Sequence, residues 1–182
     1  MAKINKLINK KDTFQIVVEK LAEILIDEGS NQQALAILAL EDPTDWEFDV
    51  YLSRLTPWEK WLNPDESTDD DKKIPIVNIW YDTDSENARA STRSSEQNMS
   101  GQFNIDCYAY GESGDDPDNP DGQLISDVEA TKAVYRIATL VRNIIMSGQY
   151  DVLDLQGLVG NRRVSERTYF RPSSDPNQVQ KV

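Results

Sequence analysis

Thirty-two carboxylates and no histidine limit the chemistry open to this chain. Without imidazole there is no common general acid/base, no common metal ligand and no Ser-His or Cys-His nucleophile. Carboxylate-only or lysine-based catalysis would need a recognisable constellation of its own. The densest acidic cluster is GESGDDPDNPDG, with Asp115, Asp116, Asp118 and Asp121. Oxygen-rich loops of this kind can hold calcium. Counted from Asp116, an EF-hand loop would need an oxygen ligand at its fifth place, glycine at its sixth and glutamate at its twelfth. Pro120, Asp121 and Asp127 stand there instead, so a solvated acidic loop is the favoured reading. DESTDDD, near residue 70, has still less of a metal-site pattern. With so many acids, paired carboxylates at glycosidase spacing carry no information. No Gly-rich phosphate cradle occurs, and Gly157 and Gly160 read as turn residues. The single cysteine, Cys107, excludes an internal disulfide and a cysteine zinc site, and it lies inside a strand-like run as a small core residue would. No catalytic residue, cofactor or metal is expected.

The cations are more informative than the acids. Residues 1–11 carry Lys3, Lys6, Lys10 and Lys11 and no acid, leaving 15 basic against 32 acidic residues, a net of −17, in the rest. This is either a solvated terminus or a positive arm that docks on an acidic neighbour, a second copy of the chain included. Arg162, Arg163, Arg167 and Arg171 gather near the C-terminal end. They suit either an acidic partner surface or pairing within the molecule. Arg89 and Arg93 stand in a polar linker, and Lys132 and Arg136 on the polar side of a helix. The candidate interface residues are thus the four arm lysines, Arg89, Arg93, Lys132, Arg136, Arg162, Arg163 and Arg167. The overall charge of −13 disfavours general binding to nucleic acid phosphates.

A length of 182 residues suits one domain, residues 13–172, between a basic arm at 1–12 and a flexible tail at 173–182. Hydrophobic residues make up 38% of the chain, and the mean hydropathy is −0.60. No apolar run approaches the ~20 residues that cross a bilayer. No continuous apolar segment follows MAKINKLINKK, so neither a secretory signal nor a membrane partner is expected.

Asp12 or Thr13 is placed to cap a helix whose Ile16, Val17, Leu21, Ile24 and Leu25 share one face. Gly29 is placed to end it, with a short second helix, QQALAILAL, to follow; the alternative is one helix kinked at Gly29. Asp45–Arg54 reads as a strand, and TPWEKWLNP as a short helix whose Trp58 and Trp61 are core or interface anchors. Ile74–Asp82 has apolar residues on both faces and belongs at the centre of a sheet or under a helix. Gln102–Tyr110 alternates as a second strand. From Ser126 or Asp127 to Ser147, a long helix carries a stripe of Ala130, Ala133, Val134, Ile137, Leu140, Val141, Ile144 and Ile145. RRVSERTYFRP reads as a last strand. Long polar loops are expected at 63–73, 83–98 and 112–125. Together these elements are about four strands, an N-terminal helix and a long helix in the C-terminal half.

This order of elements resembles the tail-terminator, or tail-completion, proteins of tailed bacteriophages. The residues that carry the resemblance are PIVNIWYD at 75–82, GQFNIDCYAYG at 101–111 and ATLVRNIIMSGQY at 138–150, with YLSRLTPWEKW at 51–61. The resemblance spans roughly residues 14–172, includes no catalytic signature and implies an α/β fold of the α+β kind, with a mixed or antiparallel sheet of about four strands packed against the N-terminal helix and the long helix. It implies a structural virion protein, assembled in the host cytoplasm, that forms a homohexameric ring at the head-proximal end of the tail tube. Such a ring ends tube growth and docks the head connector or other neck proteins. A sheath protein joins the partners if the tail is contractile, and DNA passes the lumen without specific binding. The alternatives are another neck component (a head-completion or head–tail joining protein), an acidic binding module, and a carboxylate hydrolase.

Overall fold

The structure is a computed structural model that describes residues 12–62, 73–86, 99–111, 114–115, 123–124, 126–155, 159, 162–166, 168 and 180–181. Helix α1 (Thr13–Ala39) leads through a 3-10 turn at Pro43–Trp46 to strand β1 (Asp49–Leu52) and the one-turn helix α2 (Glu59–Leu62). Strands β2 (Ile76–Glu86) and β3 (Met99–Ala109) follow. A two-residue hairpin, β4 (Gly114–Asp115) with β5 (Gln123–Leu124), precedes helix α3 (Ser126–Met146), and β6 (Gln180–Lys181) comes last.

The fold is α+β. β1 runs parallel to β2, with Val50 opposite Val77, and β2 runs antiparallel to β3, with Ile79 opposite Ile105. The sheet therefore has three full strands, not the four expected. Its fourth place holds only Gln180 and Lys181, paired with Ala109 and Tyr108, although the sequence suggests an unstructured tail there. The strand expected over 162–172 does not form at the described residues 162–166 and 168. The cause is Arg162, whose guanidinium turns back to the carbonyls of Ile145 and Ser147 and holds this segment on the end of α3.

β2 is the central strand, as its two apolar faces require. Side chains alternate between the faces of a strand. Val77 and Ile79 join Cys107 of β3 under α1 and α3, which supply Val17, Leu21, Leu25, Ile137, Val141 and Ile144. Ile76 points to the opposite face, where it packs with Tyr108 and with Trp61 of α2. Trp61 Nε1 donates to the Ile74 carbonyl at 3.1 Å, which fixes the one-turn helix against the strand. Both tryptophans are packed, with Trp58 5.2 Å from the Tyr108 ring.

Gly29 lies inside α1 rather than at its end. A Cβ there would meet the Phe48 ring at 3.0 Å, so the glycine provides close approach rather than a helix stop. The expected break into two helices does not occur. Asp12 makes no side-chain capping bond; its carbonyl accepts from Ile16 N at 3.1 Å. The expected strand over Asp45–Arg54 shortens to Asp49–Leu52, because Asp42 accepts from Thr44 N and Pro43 opens a 3-10 turn. β2 continues to Glu86 and β3 begins at Met99, so residues 83–86 of the loop expected at 83–98 belong to a strand, and 87–98 lie outside the described residues. A bulge at Asp82 shifts the register between Tyr81 and Thr83.

At the bulge the start of α1 is clamped to the sheet. Phe14 stacks on Tyr81 at 4.5 Å and lies 6.1 Å from Phe103. The ring occupies the space above Gly101, where a Cβ would come within 2.4 Å of Phe14 Cε1. A second close approach joins the loop to α3: a Cβ on Gly111 would stand 1.9 Å from the Ser126 carbonyl oxygen.

Gly101→Ala should therefore destabilise the fold by about 1–3 kcal/mol through overpacking, read as a lower midpoint in urea unfolding. In a Phe14→Leu background the same substitution should cost much less. An equal cost in both backgrounds would show that the ring does not set the constraint.

Candidate functional site

The sheet face under α2 holds most of the polar chemistry. Asn78 is 2% exposed in the middle of β2. Its amide donates to the Arg54 carbonyl at 3.0 Å and accepts from Arg54 N at 3.1 Å. Two backbone groups just beyond β1 are thus satisfied by one buried side chain. Arg54 in turn lies 3.9 Å over the Tyr51 ring. Asp49 is bridged to Lys60 of α2. Asp106 accepts from Trp80 Nε1 at 3.0 Å and from the Tyr108 hydroxyl at 3.2 Å. Burial first, and the Asp106 charge second, push the Tyr108 hydroxyl well above its ordinary range, so it stays a donor.

This arrangement fixes elements in place. Asp49 and Asp106 each face donors of their own, Lys60 crosses a strand-to-helix join, and Arg54 and Lys73 lie over the Tyr51 and Tyr110 rings. Cys107 points the other way, buried in the helix-covered core. Tyr150, at the far end of α3, donates to Glu28 Oε1 at 2.5 Å and ties the two long helices together. That bond, followed by burial, pushes the Tyr150 hydroxyl up to about 12. Among the described residues no group of three or more His, Cys, Asp or Glu side chains could hold a metal ion. Asp116, Asp118 and Asp121 of the candidate calcium loop lie outside the described residues, and Asp115 belongs to β4.

The candidate interface cations divide. Lys3, Lys6, Lys10, Lys11, Arg89, Arg93 and Arg167 lie outside the described residues. Lys132 is exposed and pairs with Glu129 one turn back at 2.8 Å. Arg136 binds Asp45 and so ties α3 to the turn before β1, while its Nε is buried without a hydrogen-bond partner. Arg162, whose side chain is 12% exposed, is spent on the last carbonyls of α3 and on Asp151. Arg136 and Arg162 thus both pair within the molecule. Arg163 beside it is exposed.

The most unusual surface was not legible as a site from side-chain chemistry. The last two turns of α1 read Ala34-Leu35-Ala36-Ile37-Leu38-Ala39, and only Ala36 is buried. Leu35 is 49% exposed, Ile37 60%, Leu38 81% and the C-cap Leu40 95%. An unbroken apolar run cannot turn every side chain to one core, and that is the signal the sequence holds. Leu40 also has φ 60° and ψ 31°, a left-handed conformation that closes the helix through its N–H to the Ala36 and Ile37 carbonyls. Glycine commonly fills such a place, and a residue with a Cβ is disfavoured there by roughly 1–2 kcal/mol. From Leu21 to Ser53 the chain has eight acids (Glu23, Asp27, Glu28, Glu41, Asp42, Asp45, Glu47 and Asp49) and no lysine or arginine. The apolar helix end is thus embedded in acidic sequence.

No family model, curated protein or solved structure matches this chain.

Because Arg162 holds three acceptors at the end of α3, Arg162→Gln should lower stability by about 1.5–3 kcal/mol, the range for hydrogen bonds to a charged group. Arg163→Gln should stay within about 0.5 kcal/mol of the parent, as exposed substitutions do. Thermal unfolding of the pair decides it, and equal midpoints would reject the anchoring role.

Proposed function

We propose that the chain is a structural subunit that assembles into a ring at the head-proximal end of a phage tail tube, where it ends tube growth and offers a face to the head connector. The observation that carries this reading is the succession of elements. An N-terminal helix, a short strand, the long β2–β3 pair and a second long helix follow one another in the order on which the resemblance to tail-terminator proteins rests. Both helices pack on one side of the sheet. β1 forms one edge, and beyond Tyr108 and Ala109 the outer edge of β3 has no strand partner among the described residues. Unlike surfaces are what a head-to-tail interface requires, since each copy must present a patch that fits a different patch on the next. The polar side chains on the sheet's outer face brace α2 and the end of β1, which suits a scaffold acting through its surfaces.

A second reading is a binding module that recruits a basic protein. It is favoured by the eight acids without a base between Leu21 and Ser53.

The test is size and shape in solution, followed by growth of the tube. Electron microscopy and light scattering of the purified chain should give closed rings. Added to polymerising tail-tube protein, the chain should cap the ends and shorten the tubes. A strict monomer that leaves tube length unchanged would overturn the proposal. Particles made without this chain should carry overlong or unjoined tails; heads that leak DNA would point to a head-completion role instead.

A further inference from the structure

We infer that the apolar end of α1, from Ala34 to Leu40, is the docking surface for residues 1–11 of a second copy of this chain. The inference rests on the self-association proposed above and names the contact that would produce it. The surface has four large aliphatic side chains mostly in water, which a chain that worked alone would have little reason to keep. Leu40 is the clearest case, since a bulky side chain occupies a left-handed helix cap that glycine would fill more easily. An uncommon backbone state of this kind points to function.

The identity of the occupant follows from complementarity and reach. Ile4, Leu7 and Ile8 are spaced three and four apart, the pattern of one apolar helical stripe, and Lys3, Lys6 and Lys10 fall off that stripe. The segment has four lysines and no acid, while the sequence from Leu21 to Ser53 has eight acids and no base, although Asp45 and Asp49 among them already pair with Arg136 and Lys60. Apolar stripe meets apolar strip, and positive flank meets negative flank.

The arm cannot serve its own helix. Leu35 lies about 33 Å along the α1 axis from Thr13, and Leu38 about 37 Å, at 1.5 Å per residue. Fully extended, the chain between Thr13 and Ile8 spans at most about 18 Å, and that to Ile4 about 32 Å, at up to 3.6 Å per residue. A taut arm brings Ile4 level with the near end of the surface, but Leu7 and Ile8 then stop about 10 Å or more short of it, so the three-residue stripe cannot seat on its own helix, and a helical arm reaches half as far or less. The docked segment must therefore come from another molecule. Such a contact is head-to-tail: each copy gives an arm to one neighbour and receives one from the other, which closes a ring when the rotation permits.

Full-length protein tests this in two ways. In the first, Leu7→Cys protein is mixed with Leu38→Cys protein under mild oxidation. A covalent heterodimer should form, and it should be absent when Arg163→Cys replaces the second partner. In the second, self-association is measured by sedimentation for Leu40→Gly and Leu7→Asp. Each should weaken association at least about tenfold, the usual effect of losing a buried anchor. Leu40→Gly should at the same time leave thermal stability unchanged or raised, which separates lost docking from lost folding. Rings that form normally in both variants, with no cross-link in the mixture, would overturn the docking and leave the ring proposal standing. A parent chain that stays monomeric throughout would overturn both.

Discussion

Burial of both faces of β2 constrains everything else in this molecule. Ile76, Val77 and Ile79 are fully sequestered, and Asn78 between them nearly so. A strand like this needs a cover on each side. Two long helices lie on one side, and a single turn carrying Trp61 lies on the other. The polar residue in the run is tolerated because both ends of its amide are satisfied by the Arg54 backbone. Replacing it with an aliphatic side chain would leave those two backbone groups to find other partners.

The two covers differ in kind. The helix side is aliphatic and deep, and it is pinned at its corners by specific contacts: Phe14 over Gly101, Phe48 against Gly29, and the Tyr150–Glu28 bond. The α2 side is thin and largely polar, held by an ion pair, a stacked guanidinium and two donors on Asp106. Aliphatic packing supplies most of the driving force in such a fold, and the polar face chiefly fixes geometry.

Much of this was legible in the residues. The two-faced apolar run at 74–82 identified the central strand, and the three-and-four stripe from Ala130 to Ile145 identified α3. Sequence reading erred where one side chain's tertiary contact outweighed local preference. Gly29 looked like a helix stop, yet its small size serves the Phe48 ring, and the helix runs on for ten more residues. RRVSERTYF alternates well enough for a strand, but Arg162 binds a helix end instead. Positive residues were sought as contact points because charge is easy to see in a sequence. Of those that can be placed, Lys132, Arg136 and Arg162 are engaged within the molecule, whereas the exposed aliphatic end of α1 lies in a run that resembles ordinary core.

The close approach at Gly111 has a consequence of its own. The backbone there touches the first turn of α3, so the excursion over 112–125 leaves and returns at nearly one point. Doubling its length would cost only about 0.6 kcal/mol in closure entropy. An insertion between Gly111 and Ser126 should therefore leave the packing of the scaffold as it is, which makes this join a place for an engineer to graft a label.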